Sequence, residues 1–286
     1  MTGTTLPAAP RILRLAANTK GRDFVVGDIH GAYNTLLAAM KEANFDGARD
    51  RILSVGDLID RGPHSWRCAR FLALPYVHAC RGNHEGMLLE LYKDGEPDEA
   101  ILQWAARHNG FAWWLDVSAA QRQDILREVA QLPTIIELET ARGTVGLVHA
   151  DVPAGMNWAT FVREVEAENP KVLETALWGR KRVQSGNEDG VEGIGRIFVG
   201  HTPQWDGLRR CGNIYYVDTG GIFNEMGLKA EGRLTFAEVS MKTVMLTASR
   251  PATLVDVRMD PPGTPVPNTE PFGRYTRGAD QAVLLG

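Results

Sequence analysis

Six residues of metal-binding type lie just after short apolar runs of the sequence, in polar loops bounded by glycine or alanine. The loops are GDIHG at 27–31, GDLIDRG at 56–62, GNHE at 82–85, HA at 149–150 and GHT at 200–202. The candidate ligands in them are Asp28, His30, Asp57, Asn83, His149 and His201. Carboxylate and amide oxygens combined with imidazole nitrogens suit divalent Mn, Fe or Zn, whereas the lack of thiolates argues against a purely structural zinc site.

The number of candidate ligands fits two ions better than one. Asp28 and His30 are two positions apart after an apolar run, so in an extended chain their side chains leave on the same side. Six protein ligands could close one octahedral ion completely. A carboxylate shared between two ions instead leaves open positions for water and a substrate. We therefore expect two divalent ions.

The residues beside these ligands are of the kinds that phosphoryl transfer uses. His84 directly follows Asn83 and can protonate a leaving alkoxide, and Asp60 is a suitable carboxylate to hold its tautomer. Arg61 and Arg180 offer planar guanidinium groups for phosphate oxygens. The sequence therefore predicts a phosphate-handling site with His84, Asp60, Arg61 and Arg180 as its catalytic residues.

The first third of the sequence has the alternation of β–α–β units that could position these loops. Apolar runs lie at 24–26, 51–55 and 76–80, with helical spacing at 33–44 and 63–74 between them. Asp28, Asp57 and Asn83 each follow one of these runs, so each should lie at the carboxyl end of a parallel strand. Open α/β sheets form their ligand crevice at that edge.

The later sequence predicts further helices and a second set of strands. Helical stretches are expected at about 86–131 and 157–178, a hairpin from 134–138 and 144–148, and strands at 197–199, 214–217, 234–239 and 244–246. We predict an α/β fold in which two mixed β-sheets pack face to face with helices outside.

One catalytic domain is predicted over residues 22–249, between two segments of different character. Residues 1–21 lack the continuous apolar core of a signal peptide and are interpreted as a mobile lead-in. Prolines interrupt any regular pattern in the tail at 250–286, which is expected to be extended or disordered, with a docking segment as the alternative.

Composition and charge exclude several function classes. Lys and Arg total 31 against 35 for Asp and Glu, a net charge of −4, so no broad cationic face is available for a nucleic-acid backbone or an anionic membrane. No stretch approaches the roughly 20 apolar residues that span a bilayer. Three scattered cysteines, Cys68, Cys80 and Cys211, favour reduced thiols in a cytoplasmic protein. No nucleic-acid or membrane partner is expected, and the oligomeric state stays open.

Other notable residues have simpler explanations. Three histidines are expected to be ordinary core or surface residues: His64, His78 and His108. Four tryptophans are expected to pack rather than to touch a substrate: Trp104, Trp113, Trp114 and Trp158. For two basic residues, a solvated face and a substrate role are equally open: Lys181 and Arg182.

At the five loop motifs the sequence resembles the calcineurin-like metallophosphoesterases. The Asp60-Arg61 pair narrows the resemblance to the phosphoprotein phosphatases. LWGR at 177–180 and GHTP at 200–203 make it most similar to the bacterial and phage-lambda-type serine/threonine protein phosphatases. The resemblance covers roughly residues 22–240.

The resemblance implies a role for each matching residue. The first metal would be held by Asp28, His30 and Asp57, and the second by Asp57, Asn83, His149 and His201, with Asp57 as the bridge. His84 would be the general acid supported by Asp60, and Arg61 and Arg180 would bind phosphate. Manganese is the first candidate for both ions, with Fe, Zn and Mg as alternatives.

Three functions stay open. The first is metal-dependent hydrolysis of phosphoserine and phosphothreonine in proteins. The second is hydrolysis of dinucleoside tetraphosphates or other small phosphoesters, and the third is a catalytically silent metal- or phosphate-binding module. Asp60 favours the first, because the similar tetraphosphatases usually carry Ala before that arginine. The presence of every ligand and of His84 argues against the third.

Overall fold

The computed structural model describes residues 10–241, 244–248 and 253–254. Its strands are β1 (Ile12–Leu15), β2 (Asp23–Val26), β3 (Arg51–Ser54), β4 (Val77–Ala79), β5 (Ile135–Thr140), β6 (Gly143–Val148), β7 (Arg196–Val199), β8 (Arg209–Cys211), β9 (Ile214–Tyr216), β10 (Leu234–Glu238), β11 (Val244–Thr247) and β12 (Thr253–Leu254). Its helices are α1 (Tyr33–Glu42), α2 (Cys68–Leu72), α3 (Asn83–Leu91), α4 (Glu99–His108), α5 (Ala119–Ala130), α6 (Trp158–Glu166), α7 (Pro170–Trp178), α8 (Lys181–Ser185) and α9 (Gly221–Glu225). Turns of 3-10 helix lie at Ser65–Arg67 and Ala112–Asp116.

The first sheet contains the three β–α–β strands that the sequence predicts. Its strand order is β12-β11-β10-β2-β3-β4. Strands β2, β3 and β4 run parallel, so their carboxyl ends share one edge. Helices α1, α2 and α5 cover the outer face of this sheet, where Leu36, Phe71 and Ile125 pack on Phe24 and Ile52.

The second sheet has the order β1-β5-β6-β7-β9-β8. Its predicted hairpin is present as β5 and β6, and β6, β7 and β9 are parallel. Helices α6 and α7 cover the outer face. Asn157 caps α6 by accepting the Thr160 amide at 2.9 Å, and α7 begins at Pro170 after the Asn169 cap.

The two sheets face each other across an apolar layer. Val25 and Leu53 of the first sheet pack with Leu147, Phe198 and Tyr215 of the second, and all five are fully buried. Burying each such side chain contributes about 1.5–3 kcal/mol to folding. The predicted α/β fold of two packed sheets with outer helices is confirmed. In the part of the chain that the structure describes, no helix has the length and apolar character needed to cross a membrane.

The prediction of a mobile lead-in over residues 1–21 is wrong for part of that segment. Ile12–Leu15 form β1, parallel to β5. Leu13 and Leu15 pack against the layer between the sheets, and Arg14 Nε donates to Glu137 Oε2 at 2.9 Å. Residues 1–9 lie outside the described residues. So does the proline-rich tail at 250–286, apart from Thr253–Leu254, which pair with β11.

The helical segment expected at about 86–131 consists of three helices. These are α3, α4 and α5, with the second 3-10 turn between α4 and α5. Helix α3 begins at Asn83, three residues before the expected start, so the GNHE loop is the first turn of a helix. Strand β8 was not predicted from the sequence.

Candidate active site

The loops after β2, β3, β4, β6 and β7 meet at one edge of the sandwich. They bring together all six candidate metal ligands: Asp28, His30, Asp57, Asn83, His149 and His201. Each of these side chains is buried, with at most 5% of the residue exposed. Charged and polar groups in such a position need partners, because an unpaired buried polar group costs free energy.

The backbone of these loops is in an unusual conformation at several site residues. Positive φ angles occur at His30 (+46°), Asp57 (+51°), Asp60 (+69°), Arg61 (+66°) and His201 (+68°). L-residues rarely adopt this region, and strained backbone of this kind concentrates at functional sites. The turns hold because the chain bonds to itself: the amide of His30 donates to the carbonyl of Asp57 at 2.8 Å.

Glu85 holds the loop that carries Asp57. Its Oε2 accepts the amides of Asp57 at 2.9 Å and Gly82 at 2.8 Å, and its Oε1 accepts the amide of Leu58 at 2.8 Å. Burial raises the pKa of Glu85 to about 7, against the effect of these amides. Glu85 belongs to the GNHE motif, but this role was not predicted from the sequence.

His30, Asp57 and His84 form the first cluster that could hold a cation. The Nδ1 of His30 donates to the carbonyl of Ile59 at 2.8 Å, so its Nε2 carries the lone pair. Nε2 lies 3.4 Å from Asp57 Oδ2 and accepts from Arg61 Nη1 at 2.8 Å. A metal ion on His30 therefore competes with Arg61 for this lone pair.

Asp57, His149 and His201 form the second cluster, together with Asn83. The Nδ1 of His149 donates to the carbonyl of Val55 at 3.0 Å, which leaves the Nε2 lone pair 2.8 Å from Asn83 Oδ1 and 3.4 Å from Asp57 Oδ1. The lone pairs of three atoms thus face one another with no hydrogen atom between them: His149 Nε2, Asn83 Oδ1 and Asp57 Oδ1. A bound cation resolves such an arrangement, so the residues fit a metal ion.

His201 completes the second cluster. Its Nδ1 lies 2.8 Å from Asn83 Oδ1, and its buried Nε2 has no hydrogen-bond partner. Burial, His149 and Arg180 lower the pKa of His201 to about 3. Burial also lowers the pKa of His30 and of His149. Neutral imidazole is the form that ligates metals.

Asp57 lies between the two clusters with one oxygen toward each. Oδ2 faces His30 and Oδ1 faces His149, at 3.4 Å in both cases. Burial raises the pKa of Asp57, but His149, His84 and His30 outweigh burial and hold the pKa below its usual range. The side chain is therefore an anion with one oxygen directed at each cluster.

Asp28 lies beside the two clusters rather than within either. Its Oδ2 accepts the amide of His201 at 2.9 Å. Burial, then Asp218 and Asp57, raise the pKa of Asp28 well above its usual range. Burial also raises the pKa of Asp218 to about 6. Asp218 was not predicted as a site residue, although it follows an apolar strand and precedes glycines as the other loop residues do.

His84 and Asp60 form a buried pair at the mouth of the first cluster. Their Nδ1 and Oδ2 atoms are 2.7 Å apart. Burial lowers the pKa of His84, but Asp57 and Asp60 raise it by more, so the net shift is upward. Trp113 packs in the core as expected, and its Nε1 also donates to Asp60 Oδ1 at 2.8 Å.

The two candidate phosphate-binding arginines lie on opposite sides of the site. Arg61 Nη2 donates to His84 Nε2 at 3.2 Å, and its guanidinium lies over the Phe223 ring at 5.4 Å. Arg180 Nη1 donates to Thr202 Oγ1 at 3.4 Å, next to the His201 loop. Both side chains are half-buried and can turn toward a phosphate between them.

The basic residues after Arg180 have different surroundings. Lys181 is exposed. Arg182 is buried: its Nε donates to Asp151 Oδ1 at 3.0 Å and its Nη2 to the carbonyl of Val152 at 3.2 Å. A solvated face and a substrate contact were the two possibilities for Arg182, and the structure gives it a structural role instead.

Two apolar grooves border the site. One, with a volume of about 970 Å³, lies beside Arg61 and is lined by Trp66, Trp113 and Phe223. The other, about 600 Å³, lies beside Asp60 and Asn83 and is lined by Trp104 and Trp178. Trp104 is 54% exposed, contrary to the packing role expected for it, whereas Trp114 and Trp158 are buried as expected.

Comparison with known proteins decides the family. The family model described as calcineurin-like phosphoesterase matches residues 24–222. The chain belongs to the calcineurin-like phosphoesterases. This phosphoesterase is 34% identical over 232 residues to serine/threonine-protein phosphatase 1 of Salmonella typhimurium strain LT2, a match that covers 79% of this chain and 95% of that protein.

Two further relatives carry a different name. The symmetrical bis(5'-nucleosyl)-tetraphosphatase of Methylococcus capsulatus is 30% identical over 172 residues, which cover 56% of this chain and 61% of that protein. A crystal structure of a protein provisionally described as a diadenosine tetraphosphatase has a TM-score of 0.59 and 20% identity, covering 85% of this chain and 100% of the other. At that identity the likeness shows the fold alone.

These comparisons confirm the family that the motifs indicated. The protein is a metallophosphoesterase, and therefore a hydrolase, with bacterial serine/threonine protein phosphatases among its relatives. The family binds divalent metals, and two clusters of His and Asp in the structure could hold them.

Proposed function

We propose that this phosphoesterase is a serine/threonine protein phosphatase that uses two divalent metal ions and His84 as general acid. The observation that carries the proposal is the buried His84–Asp60 pair at 2.7 Å, placed directly beside the carboxylate that faces both metal-type clusters. A nucleophile-generating centre and a proton donor for the leaving group are the two parts that phosphomonoester hydrolysis requires.

The proposed ligand sets are those that the family resemblance implies, and the two clusters of donor atoms support them for His30, Asp57, His149 and His201. Asp28, His30 and Asp57 would hold one ion, and Asp57, Asn83, His149 and His201 the other. The chemistry that two divalent ions supply is activation of a water molecule and neutralisation of phosphate charge. Manganese is our first choice, because the donors are oxygens and imidazoles without thiolate, and Fe, Zn and Mg are alternatives.

His84 is suited to give a proton to the oxygen of a leaving serine or threonine. Asp60 holds Nδ1, so Nε2 is the atom that acts toward substrate, and it lies 3.9 Å from Asp57 Oδ2. Arg61 donates to Nε2 at 3.2 Å, so Nε2 takes up a proton when Arg61 turns to the phosphate. The upward shift of the pKa of His84, caused by the carboxylates of Asp57 and Asp60 against burial, favours the protonated form. Arg61 and Arg180 would clamp the phosphate oxygens from either side.

Three considerations support a phosphoprotein over a dinucleoside polyphosphate. Asp60 precedes Arg61, as the phosphoprotein phosphatase resemblance requires. The match to the Salmonella phosphatase covers 95% of that protein, whereas the match to the Methylococcus tetraphosphatase covers 61% of that one. The two apolar grooves leave room for polypeptide on both sides of a phosphorylated residue. A cytoplasmic location belongs to the same proposal, because Cys68, Cys80 and Cys211 are free and buried.

Side-by-side turnover of two substrates tests the proposal. We expect a higher kcat/KM for phosphoserine and phosphothreonine peptides than for diadenosine tetraphosphate, with activity that depends on added Mn²⁺ and is abolished by a chelator. Faster turnover of the tetraphosphate would favour the second function. Full activity in rigorously metal-free protein would contradict the metal-dependent mechanism.

A further inference from the structure

Trp113 contacts the partner of the proposed acid through a single atom. Its Nε1 donates to Asp60 Oδ1 at 2.8 Å, while Asp60 Oδ2 faces His84 Nδ1 at 2.7 Å. Indole, carboxylate and imidazole thus form a continuous buried chain that ends at His84 Nε2. Packing alone does not require an N–H group at this position, because a phenyl ring would also fill apolar space.

The main chain near Asp60 is fixed, but its carboxylate group needs a separate contact to hold its orientation. Asp60 and Arg61 have φ angles of +69° and +66°, and the amide of Arg61 donates to the carbonyl of Gly110 at 2.7 Å. The residues just before the turn that carries Trp113 therefore hold the main chain of the loop. A carboxylate rotates easily about its last torsion, since sp³–sp² torsions are broad, so a fixed main chain does not fix its oxygens. A second hydrogen-bond partner, on Oδ1, does fix the two oxygens of Asp60.

We propose that Trp113 is a positioning residue for proton donation by His84. By holding Oδ1 of Asp60, the indole keeps Oδ2 on His84 Nδ1 and so keeps His84 Nε2 directed at the leaving oxygen. The inference rests on the proposed function, in which His84 is the general acid. Trp113 acts through Asp60 and His84.

The neighbouring tryptophan provides a matched control. Trp114 lies in the same 3-10 turn, with its ring centroid 5.2 Å from that of Trp113, and is fully buried. Its Nε1 donates to the hydroxyl of Tyr92 at 2.8 Å, away from the acid pair. Replacing either tryptophan with phenylalanine removes one indole N–H from the same turn and keeps an apolar ring, so the two variants differ in which hydrogen bond is lost.

The test compares two phosphate esters with different leaving groups. For Trp113→Phe we expect kcat on a phosphoserine peptide to fall about 10-fold with little change in KM, and kcat on p-nitrophenyl phosphate to fall about 2-fold or less. Nitrophenolate leaves without a proton, so loss of acid alignment matters less for it. Trp114→Phe should change both rates equally. In the Asp60→Asn background, Trp113→Phe should produce no further contrast between the esters.

The outcomes separate the two levels of inference. If His84→Asn shows the leaving-group contrast and Trp113→Phe lowers both rates equally, the role of Trp113 is overturned and the acid assignment stands. If His84→Asn shows no contrast, the acid assignment fails and the role of Trp113 fails with it. A contrast that persists when Trp113→Phe is added to Asp60→Asn also overturns the role of Trp113.

A second measurement covers the case in which Trp113→Phe does not fold. Indole N–H resonances of the protein loaded with diamagnetic Mg²⁺ or Zn²⁺ report the contact without altering Trp113. Asp60→Asn should shift the Nε1 resonance of Trp113 and leave that of Trp114 in place. An unchanged Trp113 resonance would overturn the proposal.

Discussion

The half of the site that the first sheet carries differs from the half that the second sheet carries in how its side chains are held. In the first half, four residues have left-handed backbone: His30, Asp57, Asp60 and Arg61. The buried carboxylate of Glu85 also accepts four main-chain amides there. In the second half, His149 directly follows β6 in ordinary backbone, and one hydrogen bond to the Val55 carbonyl fixes its ring.

The difference in backbone conformation between the two halves parallels the roles proposed for their residues. The groups assigned to proton donation, Asp60 and His84, and the first phosphate-binding arginine, Arg61, all lie in the half with strained turns. The second half contributes His149, which an ordinary strand end presents, His201, whose φ of +68° is also left-handed, and Arg180. Four of the five left-handed site residues thus lie in the half that also carries the groups aimed at the reacting phosphate, and the fifth is His201.

Asp57→Asn should remove the negative charge of the carboxylate that faces both clusters. The amide lacks the negative charge that lets two cations sit close together. We expect a loss of metal from both clusters and a fall in kcat of about 10³-fold or more, since metal ions supply several kcal/mol of transition-state stabilisation. Metal content per chain, measured by elemental analysis, is the readout. Two ions bound with unchanged affinity would show that Asp57 is not the bridge.

His84→Asn should damage only the first half. Metal content and fold should stay the same, while kcat on a phosphoserine peptide falls by about 10²–10⁴-fold, the usual contribution of a general acid. The loss on p-nitrophenyl phosphate should be smaller. Loss of metal in this variant would identify His84 as a ligand instead, a possibility that its 3.9 Å separation from Asp57 makes worth measuring.

Glu85→Gln tests whether the strained half needs its carboxylate. The side-chain amide would bring a donor to the two N–H groups that Oε2 accepts, leaving at least one buried donor unpaired. We expect the free energy of unfolding to fall by about 2–3 kcal/mol in urea denaturation. Glu90→Gln on the same helix is the control, because Glu90 is exposed and pairs with exposed Lys93. Equal stability of the two variants would refute the role given to Glu85.

Arg180→Met should have the smallest effect and act in the second half alone. It removes one of two guanidinium groups proposed for the phosphate, at a half-buried position. We expect kcat/KM for a phosphopeptide to fall about 10-fold, the lower end for a charge-assisted hydrogen bond. The exposed neighbour Lys181→Met should leave kcat/KM unchanged. If both variants lose activity equally, general positive potential rather than Arg180 attracts the substrate.

The positions of the strand ends and of the ligand loops could be predicted from the sequence, because a local pattern of residues marks them. An apolar run followed by a glycine-bounded polar loop locates a strand end, and parallel strand ends share one edge of a sheet. For that reason the meeting of Asp28, Asp57 and Asn83 at one sheet edge follows from the amino-acid sequence alone. The same pattern would have located Asp218 after β9.

The rest depends on contacts between segments far apart in the chain. Trp113 meets Asp60 from 53 positions away, and Arg182 meets Asp151 from 31. A tryptophan or an arginine has the same local pattern whether it packs, binds a substrate or pairs in the core. Strand β1 is four residues long and exists because β5 provides an edge. Left-handed backbone at His30 or Arg61 has no sequence signal comparable to that of glycine.

Three of the hydrogen bonds among the described residues join one sheet to the other at the catalytic edge. His149 Nδ1 donates to the carbonyl of Val55 at 3.0 Å, the amide of His201 to Asp28 Oδ2 at 2.9 Å, and Cys80 Sγ to the carbonyl of Leu147 at 3.4 Å. A small sliding of one sheet over the other would break all three and separate the two ligand clusters. The site is therefore part of the cooperative unit that unfolds, and heat inactivation should coincide with the loss of tertiary structure instead of preceding it.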